Sequence, residues 1–114
     1  MSSIHEAPVF QVVYDLLKDV HIARGKFEKT EKYSLGEQLE LQLLELLLNI
    51  ISAGHAKRTW KITSIDKALL AGEKTKILMR LAYDLEQINQ GRYLKWQEAI
   101  QKIGRMLGGW KKSL

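Results

Sequence analysis

Basic side chains near a tryptophan are the residues of this sequence whose types and spacing are best suited to chemistry. Lys57, Arg58 and Lys61 surround Trp60. In proteins that bind single-stranded nucleic acid, basic side chains contact the phosphates and an aromatic ring stacks on a base. The cluster therefore favours a nucleic-acid interface. A second interpretation stays open, in which Trp60 packs against the start of a helix and the cations only keep the surface soluble.

Lys76 and Arg80 form a second basic pair, four residues apart. On a helix this spacing puts two side chains on one face, about 6 Å apart, which is close to the distance between neighbouring phosphates. The same pair also suits an acidic patch on a partner protein. The sequence thus predicts a binding role for Lys76 and Arg80 and leaves the partner open.

The sequence gives no positive indication of an enzyme. His5, His21 and His55 form neither an HxxxH nor an ExxH pair, which predicts ordinary surface histidines. The chain has no cysteine, so disulfides and thiolate metal sites are excluded. Ser34 and Ser64 each fit the start of a helix, so neither is a candidate nucleophile. We therefore expect a protein without catalytic activity, metal or cofactor.

Length and charge indicate one domain with an uneven distribution of charge. The 114 residues, 46% of them apolar, suffice for one hydrophobic core, so we expect a single domain over residues 1–114. Residues 1–52 carry five basic and eight acidic residues, a net charge of −3, whereas residues 53–114 carry thirteen basic and five acidic residues, a net charge of +8. The basic half suggests a polyanionic partner or, equally, a solvated lysine surface.

No signal peptide or membrane span is predicted. Residues 1–10 lack the basic and apolar regions of a signal peptide. The leucine-rich stretch over residues 39–53 is interrupted by Glu40 and Glu45 and is shorter than the roughly 20 apolar residues of a membrane helix. We expect a cytoplasmic protein with no membrane association.

Hydrophobic periodicity predicts the elements that position these residues. Steps of three and four between apolar residues predict a first amphipathic helix over residues 8–26, with Pro8 at its first position. A polar turn follows this helix. The second helix begins at Ser34, where Ser34 and Glu37 have the spacing of a capping box.

Two further helices complete the pattern. A polar break over residues 53–61 precedes a third helix over residues 64–89, for which Thr63 and Asp66 supply the start signal. The fourth helix covers residues 92–107. Four helices joined by short turns, without strand-like alternation, predict an all-α protein, an antiparallel up-down four-helix bundle.

Glycines mark the expected ends of the last two helices. Gly91 is placed to end the third helix, and Gly108 and Gly109 to end the fourth, with positive φ values and a basic tail over residues 108–114. Trp110 follows this double stop. We expect it to fold back over the end of the bundle, since a tryptophan buries on the order of 200 Å², and keep stacking on a base as the alternative.

The second helix has two apolar stripes, although one suffices for packing in a bundle. The first stripe faces the core. The second must be covered by another helix of the chain or by another subunit, and we favour a subunit interface. Its residues are Leu41, Leu44, Leu48 and Ile51.

Three segments resemble one family of four-helix bundles. They are KFEKTEKYSLGEQL (residues 26–39), KILMRLAYDL (residues 76–85) and IGRMLGGW (residues 103–110). The first segment resembles the broad family that includes proteins encoded by intervening sequences in 23S rRNA genes. The last segment resembles, more narrowly, the accessory variability determinant (Avd) of diversity-generating retroelements. The resemblance covers almost the whole chain and includes no catalytic motif.

The resemblance implies a non-catalytic bundle that assembles as a homopentamer with a basic surface. Avd proteins associate with the reverse transcriptase of the element and with its template RNA, and they support the adenine-mutagenised cDNA synthesis that diversifies a target gene by retrohoming. Lys76 and Arg80 match the basic positions of the family, where arginine is expected at both. Glu28 stands where the family more often has proline.

Three functions stay open at this point. The first is a retroelement accessory protein that binds reverse transcriptase and RNA, with DNA as a further ligand. The second is a general RNA-binding or ribosome-associated bundle. The third is a structural oligomer whose basic face only keeps it in solution.

Overall fold

The computed structural model describes residues 7–114, and every element in this range is helical. Residues 1–6 lie outside the described range. They include His5 and most of the N-terminal segment in which no signal peptide is predicted. The all-α prediction is confirmed for the described residues. The helices are α1 (Pro8–Arg24), α2 (Lys29–Lys32), α3 (Leu35–His55), α4 (Arg58–Asp84) and α5 (Gln90–Lys112).

The four long helices pack as a four-helix bundle. Helix α1 packs against α3 and α5, and α4 packs against the same two helices, so each long helix has two neighbours. The bundle measures 43 × 22 × 21 Å. The 27 residues of α4 extend about 40 Å at 1.5 Å per residue, so this helix runs along the long axis. In the part of the chain that the structure describes, no helix combines the length and the hydrophobicity that spanning a bilayer requires.

One hydrophobic core lies between the long helices and follows the predicted apolar periodicity of α1 and the first stripe of α3. Its largest fully buried side chain is Trp96 of α5. Burial of each large apolar side chain contributes roughly 1.5–3 kcal/mol relative to exposure, so this core is the main source of stability. The fully buried large side chains are Val13, Val20, Leu39, Leu43, Leu46, Ile50, Ile65, Met79, Trp96, Ile100, Ile103 and Leu107.

The break between α3 and α4 is much shorter than predicted. Only Ala56 and Lys57 are extended, and α4 begins at Arg58, before the predicted start at residue 64. The start signal of Thr63 and Asp66 is therefore wrong, because both residues lie inside α4 on its exposed side. The polar residues that suggested a break form the solvated surface of the first turns of α4.

The connection between α1 and α3 contains the single-turn helix α2, in the segment predicted as a polar turn. Helix α3 begins at Leu35, as expected, but the predicted capping box is wrong because the Ser34 side chain caps no amide of α3. The Ser34 hydroxyl donates instead to the carbonyl oxygen of Thr30, at 2.6 Å. Ser34 therefore closes the preceding turn, since a serine side chain can bond a backbone group on either side of it.

Helix α4 ends at Asp84, and the predicted stop at Gly91 is wrong. Glu86 adopts the left-handed conformation with φ 59°. The amides of Glu86 and Gln87 donate to carbonyl oxygens of the last turn at 3.0 and 2.9 Å, which are the two bonds of a Schellman motif. Gly91 instead lies in the first turn of α5, which Asn89 caps.

The double glycine does not end α5. Gly108 and Gly109 lie inside the helix, which continues to Lys112, and no glycine in the described range has a positive φ. Trp110 is therefore helical, and its half-buried ring packs beside Met106 and the first turn of α1. The predicted fold-back is wrong because this packing offsets the low helix propensity of two glycines, about 1 kcal/mol each.

Candidate nucleic-acid and partner interfaces

A basic turn cluster lies where α3 ends and α4 begins. It consists of Lys57, Arg58, Trp60 and Lys61. The Nζ of Lys61 donates to the carbonyl oxygens of Ala53, at 2.7 Å, and Gly54, at 3.4 Å. A cation in this position also complements the negative end of the α3 dipole. The ammonium group of Lys61 is therefore fixed in place by hydrogen bonds to the end of α3.

The C-terminal end of α5 joins the basic turn cluster. The Nη2 of Arg58 donates to the carbonyl oxygen of Leu114 at 2.7 Å. Nearby, the Nζ of Lys111 pairs with Oδ1 of Asp66 at 2.8 Å. Lys111 and its neighbour Lys112 thus add charge at this end of the bundle. Sequence reasoning placed them in a separate tail, although the helical period continues through Trp110 and was the available signal.

Trp60, Lys57 and Arg58 are the members of the basic turn cluster that face solvent, whereas Lys61 is half-buried. Trp60 is 64% exposed, so most of its indole ring is uncovered. This exposure does not fit the alternative in which Trp60 packs at a helix start. Lys57 is exposed as well. The turn therefore presents an aromatic ring beside an ammonium group, an arrangement that suits stacking on a base next to a phosphate.

Lys76 and Arg80 lie on one face of α4, as predicted, but each has an acidic partner on the same helix. The Nζ of Lys76 is 3.0 Å from Oε1 of Glu73, and the Nε of Arg80 is 3.4 Å from Oδ2 of Asp84. The Arg80 side chain is 70% exposed and that of Lys76 is 35% exposed. Exposed ion pairs contribute only about 0–1 kcal/mol, so a carboxylate or phosphate of a partner can replace these acids.

The two basic regions of α4 are separate surfaces. Lys61 and Lys76 are fifteen positions apart in the sequence, which corresponds to about 22 Å along the helix at 1.5 Å per residue. The structure therefore does not bring all of the predicted binding residues together.

A stripe of leucines on α3 lies at the surface. This α3 stripe consists of Leu41, Leu44 and Leu48. Ile51, which was predicted to belong to it, is half-buried. Two of the leucines form one wall of a groove of about 490 Å³ between α1 and α3, with Tyr14 and Leu17 on the other wall. Within residues 7–114 no other helix covers these three leucines, which are 42–53% exposed.

Arg24 links α1 to α2 and α3 at the end of this groove, in a contact that sequence reasoning missed. Its Nη1 is 3.0 Å from Oε2 of Glu40, and its Nε donates to the carbonyl oxygen of Lys32 at 2.7 Å. Oε1 of Glu40 also lies 2.5 Å from Nδ1 of His21. Gly36 makes room for the arginine, since a Cβ there would lie 2.6 Å from Cγ of Arg24. Because this contact joins residues of different helices, no spacing pattern in the sequence predicts it.

Asp19 is a second polar group that sequence reasoning missed. The Nε1 of Trp96 donates to Oδ2 of Asp19 at 2.6 Å, which satisfies the buried indole. Burial raises the pKa of the Asp19 carboxyl, but the hydrogen bond from Trp96 and the charges of Arg92 and Lys95 outweigh burial and hold that pKa below its ordinary value. The carboxylate therefore stabilises the fold above about pH 4, and this contribution is lost as the pH falls through the lowered pKa.

The described surfaces have the chemistry of binding. Residues 7–114 contain no group of three or more His, Asp or Glu placed to hold a metal ion. They present exposed cations, an exposed tryptophan and an exposed apolar stripe. Such groups contact phosphates, bases and other proteins.

Comparison with known proteins identifies a family. A family model described as bAvd-like matches residues 9–114. No curated protein sequence matches the chain significantly. The matched range begins in the first turn of α1 and includes all of the other helices. The resemblance found in the sequence is thus confirmed, and the chain belongs to the bAvd-like family.

Proposed function

We propose that this protein is a non-catalytic accessory protein of a diversity-generating retroelement. It binds the reverse transcriptase and the template RNA, with DNA as a further ligand, and supports mutagenic cDNA synthesis and retrohoming. The observation that carries the proposal is the match of the bAvd-like family model over residues 9–114. Because this range includes nearly all of the bundle, the support does not depend on one short motif.

The proposed nucleic-acid surface is the end of the bundle that carries the basic turn cluster. Trp60 and Lys57 are exposed there, and Lys112 lies at the same end. A base can stack on the indole ring while the flanking phosphates contact the lysines. This arrangement supports binding to single-stranded template with little dependence on base identity.

Lys76 and Arg80 form the proposed contact with the reverse transcriptase. Each cation pairs with an exposed carboxylate of its own helix, and an acidic patch on the enzyme can take the place of that carboxylate. The pair lies about 22 Å from Lys61 along α4. Enzyme and template can therefore bind at the same time.

The protein also associates with itself in this proposal, as a cytoplasmic homopentamer of antiparallel up-down bundles. The exposed α3 stripe supports self-association, since contiguous apolar patches mark interaction sites. The two-residue connection between α3 and α4 supports antiparallel neighbours. The number of subunits rests on the family resemblance.

Binding of the template RNA across a range of salt concentrations tests the nucleic-acid part of the proposal. We expect the dissociation constant to rise with salt, and each phosphate contact to contribute about −0.7 to the slope of log affinity against log salt. An affinity that stays constant between about 50 and about 200 mM salt would contradict an electrostatic contact with phosphates.

Retention of purified reverse transcriptase on the immobilised protein tests the second part. We expect retention with and without template RNA, because the proposed surfaces are separate. An unrelated RNA of the same length serves as the control ligand. Equal affinity for both RNAs, together with no retention of the enzyme, would favour a general RNA-binding protein.

A further inference from the structure

Helix α4 has an exposed apolar stripe of its own. This α4 stripe consists of Leu70, Ile77 and Leu81. The spacing of seven and four residues places the three side chains on one face of the helix. They lie opposite the buried face, and Ile77 is 69% exposed, the highest value among the large apolar residues of the described chain. The proposed function does not involve this face of α4.

The α3 stripe and the α4 stripe cannot cover each other within one chain. The α3 stripe lies on the side of its helix that faces α1, where two of its leucines line the groove with Tyr14 and Leu17. The α4 stripe points away from the core, and the groove includes no residue of α4. Each bundle therefore has two apolar surfaces on different sides.

Acidic side chains flank the α3 stripe. Glu37 and Glu45 are exposed, and neither forms an ion pair within residues 7–114. The cations across the groove are already engaged: Arg24 and His21 contact Glu40. Lys18 on this wall is exposed and keeps its charge, 5.9 Å from the centre of the Tyr14 ring. Two glutamates against this one lysine leave a net negative charge for a partner at the α3 stripe.

Lysines flank the α4 stripe. Lys67 and Lys74 are exposed, and no ion pair involves them in the described range. Their separation of seven residues corresponds to about 10.5 Å along the helix, and the eight residues between Glu37 and Glu45 correspond to about 12 Å. The two faces thus match in apolar character and in the spacing of their charges, with opposite sign.

We propose that the α3 stripe of one copy of this chain packs against the α4 stripe of the next copy. The contact is heterologous, so each copy uses both faces and the assembly continues head to tail. Contacts between two α3 stripes would bring Glu45 near a second glutamate, and contacts between two α4 stripes would bring Lys74 near a second lysine. Like charges across an interface disfavour both symmetric contacts. This inference rests on the proposed self-association and not on nucleic-acid binding.

Mixing two single-face variants tests the contact by light scattering. Leu44→Lys removes the α3 face and Ile77→Lys removes the α4 face, so each variant alone should be a helical monomer, with a dissociation constant raised at least about tenfold. An equimolar mixture should give a 1:1 heterodimer, because one intact α3 face and one intact α4 face remain. Leu94→Lys on α5 is the control, since Leu94 is exposed and lies on neither face; it should assemble like the unchanged protein.

Three results would overturn the proposal. Full assembly of Ile77→Lys would show that the α4 face is not used, and a mixture that stays monomeric would exclude the pairing of the two faces. An unchanged protein that is itself monomeric would overturn the proposed self-association as well. RNA affinity of that monomer, measured separately, then shows whether the nucleic-acid part of the proposed function stands.

Charge reversal tests the pairing of the flanking residues in a chain whose apolar faces are intact. Glu45→Lys and Lys74→Glu should each weaken assembly, and the double variant should recover it because opposite charges face each other again. A double variant that assembles no better than the single variants would overturn the pairing of Glu45 in one copy with Lys74 in the next. Circular dichroism of all variants separates loss of assembly from loss of folding.

Discussion

The two basic regions of α4 contain the same kinds of side chain but hold them with different partners. At the start of the helix, Lys61 donates to two backbone carbonyl groups of α3, and Arg58 donates to that of Leu114. Further along, Lys76 and Arg80 face carboxylates of their own helix. The carbonyl groups of α3 are fixed by their helix, whereas exposed acidic side chains can rotate away from their cations. The cations near Trp60 are therefore partly engaged in hydrogen bonds that stabilise the fold. Lys76 and Arg80, in the middle of α4, are available to a partner.

Lys61→Met should show the largest effect on stability. The change keeps most of the aliphatic stem and removes the charge that bonds the end of α3. We expect the free energy of unfolding to fall by about 1.5–3 kcal/mol, the usual range for hydrogen bonds to charged groups. Urea unfolding gives the measurement. Lys57→Met is the control, because Lys57 is exposed, and should stay within about 0.5 kcal/mol of the unchanged protein. Equal losses of stability in Lys61→Met and Lys57→Met would contradict a special contribution of the Lys61 hydrogen bonds.

Trp60→Ala should weaken RNA binding and leave the fold intact. Stacking of a base on an aromatic ring contributes about 1–3 kcal/mol, which corresponds to a roughly 5- to 150-fold rise in the dissociation constant. Fluorescence anisotropy with labelled template RNA measures this change. Trp60→Phe should retain part of the affinity because it keeps an aromatic face. An early thermal transition in Trp60→Ala would mean that the exposed ring supports the fold instead.

Lys76→Ala/Arg80→Ala should have the smallest effect on stability. Removal of two exposed ion pairs should change the free energy of unfolding by no more than about 1 kcal/mol, with the same helicity and oligomer size. Binding to reverse transcriptase should be lost, whereas RNA should still bind at the basic turn cluster. Retention on immobilised enzyme and RNA anisotropy measure the two binding activities.

Lys102→Ala/Arg105→Ala is the matched control for this pair. It removes the same charges from an exposed face of α5 and should bind normally. If both double variants bind like the unchanged protein, the functional surface lies at the basic turn cluster. Early melting of the α4 variant alone would make Lys76 and Arg80 structural residues.

Hydrophobic periodicity predicted the buried faces of α1 and α3 well. On α4 it was less reliable, because Leu78, Leu81 and Leu85 have helical spacing, yet Leu81 and Leu85 are 43% exposed. Burial repeats with the period of the helix itself, so Val13 and Val20 of α1, or Leu39 and Leu43 of α3, can be assigned without knowledge of a neighbour. The fully buried Trp96 of α5 lies four residues from Ile100, which is buried as well. Core positions are therefore the part of this fold that sequence alone determines best.

Helix ends were predicted less well, because contacts between distant residues outweighed local signals. Gly91 has the usual residue type for a stop, yet the chain leaves α4 at Glu86, which accepts a positive φ. Thr63 and Asp66 have the spacing of a start signal but lie on an exposed helical face. Local propensity differs by only about 1 kcal/mol between most choices, and tertiary packing can exceed it.

The residue types of the candidate surfaces were predictable, but only the local ones among their partners were. The bond between Arg58 and Leu114 joins residues 56 positions apart, and it depends on α5 passing through two glycines. The acids beside Lys76 and Arg80 lie within one turn, at spacings of three and four residues. These local pairs could have been recognised in the sequence, whereas the contact of Arg58 could not.

The glycines inside α5 have a consequence for hydrogen exchange. A Cβ at Gly108 or Gly109 would meet no atom within 4 Å, so no packing at these positions compensates for their flexibility. The last turn is held by three contacts: Arg58 bonds the backbone oxygen of Leu114, Lys111 pairs with Asp66, and the half-buried Trp110 packs against the core. This turn should therefore open at a lower free energy than the whole bundle, and its amides should exchange with deuterium first.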